Sequence, residues 1–167
     1  GETTESKLRR IREVMKECGA TSHVLTTLDD ICWTLNIRGN DIEFFPLVLS
    51  YLIITENHVK LYIDESKLSE EIKAGFAKDG ITVHPYNDIY EDIRHLGREE
   101  VVLIDPAKLN YALYSSIPEE VKKAERANPE MLFKAMKNPV EIENIRRAEI
   151  KDSVAHVKFM KWLKENI

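Results

Sequence analysis

The sequence has few cysteines, and the two it has do not suggest a metal site or a disulfide framework. Cys18 and Cys32 are the only cysteines in 167 residues, and they fall in separate predicted helices without metal-ligand spacing. A disulfide between them is one interpretation. Two reduced thiols in a cytoplasmic protein are the preferred one, because disulfides are rare in that compartment.

Long hydrophobic runs are also missing. The longest, residues 44–54, is interrupted by Pro46, Ser50 and Tyr51, and it is shorter than the roughly 20 apolar residues that a membrane-spanning helix needs. The first ten residues, GETTESKLRR, lack the apolar segment of a secretory signal peptide. We therefore expect a cytoplasmic protein with no membrane partner.

No charge of one sign dominates the chain. It has 24 basic and 29 acidic residues, a net charge of −5, and the two signs are mixed throughout. A nucleic-acid-binding protein usually concentrates basic residues on one face, so no nucleic-acid partner is predicted. The 43% apolar and 32% charged content is typical of a soluble domain, and the length allows one core with an appended element.

The residue patterns of common catalytic sites are absent as well. No two histidines are spaced i,i+4 on one helix, and there is no H-E-x-x-H, C-x-x-C, G-x-S-x-G or phosphate-binding glycine loop. Neither cysteine has a base beside it in the sequence. Adjacent acids such as Asp29-Asp30 are interpreted as helix caps and solvated charges. We predict no catalytic residue, no metal ligand and no cofactor within this chain.

Apolar periodicity predicts an α/β fold. Five strands are expected at residues 22–26, 48–55, 58–63, 81–84 and 101–104, with an edge strand at 121–127. Helices are expected at residues 5–18, from Asp29 to Leu35, and at 66–78, 88–96, 106–114 and 131–136. The turn Glu56-Asn57 indicates a hairpin, so the alternation predicts a mixed β-sheet with helices on both faces.

Asn138-Pro139 marks a predicted domain boundary. Asn138 is a good N-cap, Pro139 suits the first helical position, and Glu141 completes a capping box. A long C-terminal helix is predicted from there to the end, with Glu143 and Arg147 as an i,i+4 pair and an apolar stripe along one face. We therefore expect one domain at residues 1–137 and the start of another at 138–167.

The candidate binding residues are Arg38, Gly39, Asn40 and Asp41, in a polar loop between a packed helix and a buried strand. Gly39 is expected to supply a positive φ. In one interpretation the Arg38 guanidinium binds a carbonyl or carboxylate group through charge-assisted hydrogen bonds. In the other the loop is a structural turn in which Arg38 pairs with Asp41.

Three segments carry a family resemblance: DDICWTLNIRGNDIEFFPLVLSYLII at residues 29–54, VHPYNDI at 83–89 and KAMKNPVEIENIRRAEIKDSVAHVKFMKWL at 134–163. The first resembles the helix, LRG-type loop and FFSYAII-type strand in the second domain of three-domain Xaa-Pro aminopeptidases, which belong to the creatinase/prolidase group. The last matches the K-x-x-K-N-x-x-E-x-x-x-x-R-x-A-x-x-K-D pattern that opens their catalytic domain. One departure is Glu149, where many members carry His.

The resemblance implies a creatinase/prolidase N-terminal, ribonuclease H-like domain that is not itself catalytic, followed by the first helix of the catalytic domain. The whole enzyme would release the N-terminal residue preceding proline, using two divalent metal ions, usually manganese, held by residues downstream of Ile167. Implied partners are that catalytic domain, a proline-containing peptide and a second subunit in a homodimer. The loop Arg38–Asp41 would line the substrate cleft. The rival interpretation is a peptidase-like module that binds proteins or peptides without catalysis.

Overall fold

The computed structural model describes all residues, Gly1–Ile167, and they divide into two compact units. The first unit comprises residues 3–134, and the second comprises residues 1–2 and 135–167. The strands are β1 (Ser22–Leu25), β2 (Ser50–Thr55), β3 (Val59–Ile63), β4 (Ile81–His84), β5 (Val101–Ile104) and β6 (Lys122–Glu125). The helices are α1 (Thr4–Glu17), α2 (Leu28–Leu35), α3 (Glu70–Lys78), α4 (Ile89–Arg94), α5 (Tyr111–Ser116), α6 (Pro129–Ala135) and α7 (Pro139–Asn166).

The first unit is built on one six-stranded sheet with the order β4-β3-β2-β1-β5-β6. Strand β2 is antiparallel to both β1 and β3, whereas the pairs β3/β4, β1/β5 and β5/β6 are parallel. A tight hairpin joins β2 to β3, with the Thr55 amide donating to the His58 carbonyl at 2.9 Å. The predicted mixed sheet is confirmed, and β6 occupies the predicted edge position.

Helices cover both faces of this sheet because alternate strand residues point to opposite sides. On one face Leu52 and Leu61 pack with α1, α2 and Phe76 of α3. On the other, Ile53 and Tyr62 pack with α4 and α5. Strands buried on both faces explain the nearly continuous apolar sequence of β2.

Several element boundaries differ from the predicted ones, and two helix starts differ because nearby side chains cap a different turn. Helix α3 starts after Ser69, whose hydroxyl accepts the Ile72 amide at 3.3 Å, and Ser66 lies in a separate 3₁₀ turn, residues 65–67. Helix α5 starts after Asn110 rather than at Pro106, since Asp105 organises its own turn by accepting the Ala107 amide. Strand β2 begins at Ser50 instead of residue 48.

The Asp29-Asp30 pair was expected to cap α2, and this is wrong. Thr27 is the N-cap, and both acids lie in the first helical turn. Asp30 is buried and accepts hydrogen bonds from the Thr27 hydroxyl and from Lys134 Nζ at 2.7 Å, while Asp29 also pairs with Lys134. These acids are therefore ion-paired to α6 and are not simply solvated charges.

The second unit contains the long helix α7, and its predicted start is confirmed. The Asn138 side chain accepts the Glu141 amide at 3.0 Å, and the Glu141 carboxylate accepts the Asn138 amide at 2.8 Å. Arg147 donates to Glu143 at 3.0 Å, as the i,i+4 spacing predicts. None of the 28 residues of α7 is buried, although many are apolar. No helix in the structure has the length and apolar character needed to cross a membrane, and both cysteines are free thiols.

Candidate functional site

The candidate site is the loop of residues 37–49, which connects α2 to β2. Helix α2 ends at Leu35, and its C-cap, Asn36, adopts a left-handed conformation with φ of 55°. The side chain of Asn36 accepts a hydrogen bond from Lys7 Nζ at 2.7 Å and donates one to the Thr4 hydroxyl at 3.3 Å. The point where the loop leaves the fold is therefore anchored to α1.

Within the loop the chain folds back on itself as a narrow, irregular hairpin. The Gly39 amide donates to the Pro46 carbonyl at 3.2 Å, and the Asp41 amide donates to the Leu47 carbonyl at 3.1 Å. Ile42 and Phe45 form an isolated antiparallel bridge at the tip. These cross-links hold the two arms together, so the loop presents its side chains from an ordered frame.

Asp41 is the central polar contact of the loop, and its partner is Lys67 rather than Arg38. Its carboxylate accepts hydrogen bonds from Lys67 Nζ and from the Leu49 amide, each at 2.7 Å. The Lys67 hydrogen bond, with that from Leu49, lowers the pKa of Asp41 below its ordinary value. The structural-turn interpretation therefore has the wrong ion pair.

Arg38 and Asn40 are exposed polar residues of the loop, as is Glu43 nearer its tip. Arg38 forms no ion pair with Asp41, and no hydrogen bond of the structure includes it. An unpaired guanidinium carries five donors in a planar fork and can bind a carboxylate or a carbonyl without first giving up an internal partner. Of the four predicted residues, Arg38 has the side chain best placed to act on a ligand.

Gly39 is required for a reason other than the predicted one. Its φ is not positive; the left-handed residues are Asn36 and, at the tip, Phe44 with φ of 67°. A Cβ at Gly39 would lie 2.7 Å from Val48 Cβ and 2.9 Å from the Leu47 carbonyl oxygen. Glycine is needed because the opposite arm of the loop passes too close for a side chain.

Gly39→Ala is therefore expected to destabilise the protein by about 1–3 kcal/mol, the usual cost of forcing a methyl group into a packed site. Urea denaturation followed by circular dichroism measures the change. Gly75→Ala is the matched control, because Gly75 lies within α3 with no heavy atom within 4 Å of an added Cβ, and it should stabilise by about 0.5–1 kcal/mol. Equal stability of Gly39→Ala and wild type would contradict the close-approach explanation.

The tip of the loop exposes two aromatic rings that were not among the predicted site residues. Phe44 is 92% exposed and Phe45 is 62% exposed. A positive φ is unfavourable for a bulky residue such as Phe44. These two residues begin the apolar run 44–54, and the turn directs both rings into solvent.

All four predicted residues line one shallow cleft of about 140 Å³, whose far side includes Ile63, Lys67 and Ile72. Ligand pockets for whole small molecules usually measure about 300–1,000 Å³. The cleft can therefore hold one group of a larger ligand, such as a terminal carboxylate or a peptide carbonyl. No group of three or more His, Cys, Asp or Glu residues in the structure could hold a metal ion, so the residues present do not fit a metal centre.

His84, in the second resembling segment, is the last residue of β4. Its Nε2 lies 2.8 Å from the Thr82 hydroxyl, and its ring packs on Tyr62 with centroids 5.4 Å apart. The Tyr62 hydroxyl donates to Asp92, which also accepts from Lys60 at 2.9 Å. Burial opposes ionisation of Asp92, but these two donors outweigh it and lower its pKa.

A protein-family comparison identifies the class to which this chain belongs. The model of the creatinase/prolidase N-terminal domain matches residues 1–141, and the chain is a member of that family. The predicted fold, a mixed sheet covered by helices with a long C-terminal helix, is confirmed.

Named relatives point to one kind of enzyme within that class. The chain is 38% identical over its whole length to Xaa-Pro aminopeptidase 1 of Dictyostelium discoideum and covers 26% of that protein. It superposes on the X-prolyl aminopeptidase of Caenorhabditis elegans, described as a cytosolic enzyme with a dinuclear active site, with a TM-score of 0.91 and 35% identity over 99% of this chain and 28% of the other. The chain thus spans about a quarter of these relatives' length.

A third match shares the fold alone. The N-terminal domain of the FACT complex subunit SPT16 from chickpea superposes with a TM-score of 0.59 and 15% identity, over 98% of this chain and 46% of the other. Identity at this level shows only that the two chains fold alike.

Proposed function

We propose that this chain is the non-catalytic domain of an Xaa-Pro aminopeptidase, a metallopeptidase that releases the N-terminal residue preceding proline. Residues 1–137 form that domain, and residues 138–167 begin the catalytic domain. Support comes from the relatives, which share 38% and 35% identity with this chain, and from the capping box that opens α7.

The loop of residues 37–49 lines the substrate cleft of the neighbouring catalytic domain in this proposal. The observation that carries it is the exposed Arg38 guanidinium, which has no internal partner and extends from a loop cross-linked on both arms. It donates charge-assisted hydrogen bonds to a carbonyl or carboxylate of a proline-containing peptide, and the Asn40 amide adds a neutral donor. The exposed Phe44 and Phe45 rings supply apolar contact area next to these donors.

Metal chemistry belongs to the part of the enzyme beyond this chain. Two divalent ions, which we propose are manganese, activate water for hydrolysis when bound there. The residues of this chain bind and orient the peptide. A cytoplasmic location and a homodimer complete the proposal; a cytosolic relative supports the former.

Arg38→Ala in the full-length enzyme is expected to lower kcat/KM for an Xaa-Pro tripeptide about 10- to 150-fold. This corresponds to the loss of a hydrogen bond to a charged donor, about 1.5–3 kcal/mol. The melting temperature should stay within a degree or two of wild type, because Arg38 makes no internal bond. Steady-state kinetics and calorimetry on the same preparation measure both quantities.

Arg98→Ala is the matched control, since Arg98 is also exposed and lies in the loop before β5. It should change neither kcat/KM nor the melting temperature. If Arg38→Ala and Arg98→Ala have the same turnover as wild type, the loop does not contact the substrate.

A binding module without catalysis is the alternative proposal. Its support is that the same fold occurs in a FACT subunit, a protein not named as a peptidase. The residues that follow position 167 in the full-length protein distinguish the two. Two Asp, one His and two Glu as metal ligands support the peptidase, and their loss supports the binding module.

A further inference from the structure

Helix α6 contains a buried acid that contacts a buried histidine on the sheet. His23 on β1 and Glu130 on α6 are both 0% exposed, although 107 residues separate them. His23 Nε2 lies 3.3 Å from Glu130 Oε2, and His23 Nδ1 lies 3.0 Å from the Leu103 carbonyl oxygen. Both ring nitrogens therefore face oxygen atoms.

These contacts determine how many protons the pair must hold. A carbonyl oxygen can only accept, so Nδ1 of His23 carries a hydrogen and donates it to Leu103. A hydrogen bond between Nε2 and Glu130 needs a second proton, which either the imidazolium or the carboxylic acid can supply. Without it, a nitrogen lone pair would face a carboxylate lone pair in a buried site. The contact between β1 and α6 therefore depends on one titratable proton.

Helix α6 has few apolar contacts with the core. Pro129 is buried and Phe133 is partly buried against the core, whereas Met131 and Leu132 are 43% and 63% exposed. The other attachments are polar: Lys134 pairs with Asp29 and Asp30 of α2, and Asn128, just before the helix, donates its amide to Asp105 at 3.2 Å and its side chain to Thr27 at 3.3 Å. A short helix with so few buried apolar side chains is sensitive to the loss of one polar bond.

We propose that the proton shared by His23 and Glu130 is a pH-dependent latch that fastens α6 to the sheet and releases it as the pH rises. Helix α6 is the last element of the first unit along the chain, directly before the Asn138 cap of α7. The latch thus controls how firmly the end of the first unit is held. This inference does not depend on the proposed peptidase function.

The direction of the effect follows from the charges around His23. Burial alone would lower the pKa of His23, but the negative charge and hydrogen bond of Glu130, the Leu103 carbonyl and the more distant Asp30 outweigh it and raise the pKa above 6.5. Lys134 is bonded to Asp30 and Asp29 and offsets part of their charge. A raised pKa means that the closed state binds the proton more tightly than the open state.

The latch is therefore fully effective below about pH 6.5. Above that pH, the equilibrium constant for opening of α6 should rise about tenfold per pH unit, because one proton is lost on opening. The rise should level off once the pH exceeds the raised pKa of His23. No further change is expected at higher pH from this pair.

Hydrogen exchange of the whole 167-residue chain between pH 6 and 9 tests the latch. After correction for the intrinsic pH dependence of amide exchange, protection at the end of α6, residues 133–135, should fall about tenfold per pH unit above 6.5. Helix α1 supplies the internal reference, and its protection should stay constant. Parallel behaviour of α6 and α1 would overturn the proposal.

Glu130→Gln provides the discriminating variant. Its side-chain NH₂ can donate to the Nε2 of a neutral His23, so it replaces the contact without a proton that titrates in this pH range. Protection of α6 in this variant should be independent of pH between 6 and 9. If it falls with pH as in wild type, the latch assignment is wrong.

Nuclear magnetic resonance of the His23 ring nitrogens in the wild-type chain gives a second test that does not require the variant to fold. In the closed state the ring should titrate above pH 6.5, at the pH where the rise in α6 opening levels off. A ring that titrates at or below pH 6.5 would refute the proposal.

Discussion

Glu130→Ala is expected to lower the free energy of unfolding by about 3–5 kcal/mol at pH 6. Removing one partner of a buried pair leaves the other without compensation, and the cost is usually of that size. Here the remaining partner would be the His23 ring, which is fully buried beside the core of β1 and β5. Urea unfolding of the 167-residue chain, followed by circular dichroism, measures the loss.

Glu120→Ala is the control for that variant, because Glu120 lies in the exposed turn before β6. Exposed substitutions of this kind usually change stability by no more than about 0.5 kcal/mol. A loss below about 1 kcal/mol for Glu130→Ala would mean that water replaces the missing carboxylate and that the pair contributes little to the fold.

Leu52→Ala should have an effect of similar size for a different reason. Leu52 is fully buried on β2, between Leu25 of β1 and Leu61 of β3, in the core that also contacts α1 and α2. Truncating a buried leucine removes apolar contacts and leaves a cavity, which costs about 2–5 kcal/mol. The denaturation midpoint should fall while the dependence of the unfolding free energy on urea concentration stays the same.

Leu132→Ala gives the comparison with an exposed leucine, since Leu132 is 63% exposed on α6. We expect a change of no more than about 0.5 kcal/mol. If the two leucine variants were equally stable, the position of β2 at the centre of the buried sheet would be wrong.

Elements with strong local signals were predicted well. The apolar runs of β2, β3 and β5 and the helical spacing of α1 need only neighbouring residues to be recognised. The start of α7 at Pro139 was also predictable, because all groups of its capping box lie within four residues. Where two residues could cap one helix, the predicted start was wrong. Either Ser66 or Ser69 could start α3, and only the folded chain selects Ser69.

In the candidate loop, too, local features were predictable from the sequence and long-range contacts were not. Its four residues were identified from their polar character between two apolar segments, and they do line one cleft. Their contacts were not predictable, because Lys67, the partner of Asp41, follows 26 residues later. The need for glycine at position 39 arises from Val48 on the other arm, and no local pattern contains that distance.

Local sequence by itself determined the mixed α/β character, the alternation of strands and helices, the hairpin between β2 and β3 and the start of α7, since each depends on hydrophobic periodicity or on groups a few residues apart. Tertiary structure alone decided which charges meet. Asp41 pairs with Lys67, Asp30 pairs with Lys134, and His23 meets Glu130 inside the first unit. Such pairs depend on how the sheet order and the helix positions bring distant residues together, and long-range pairing of this kind leaves no periodic signal in the sequence.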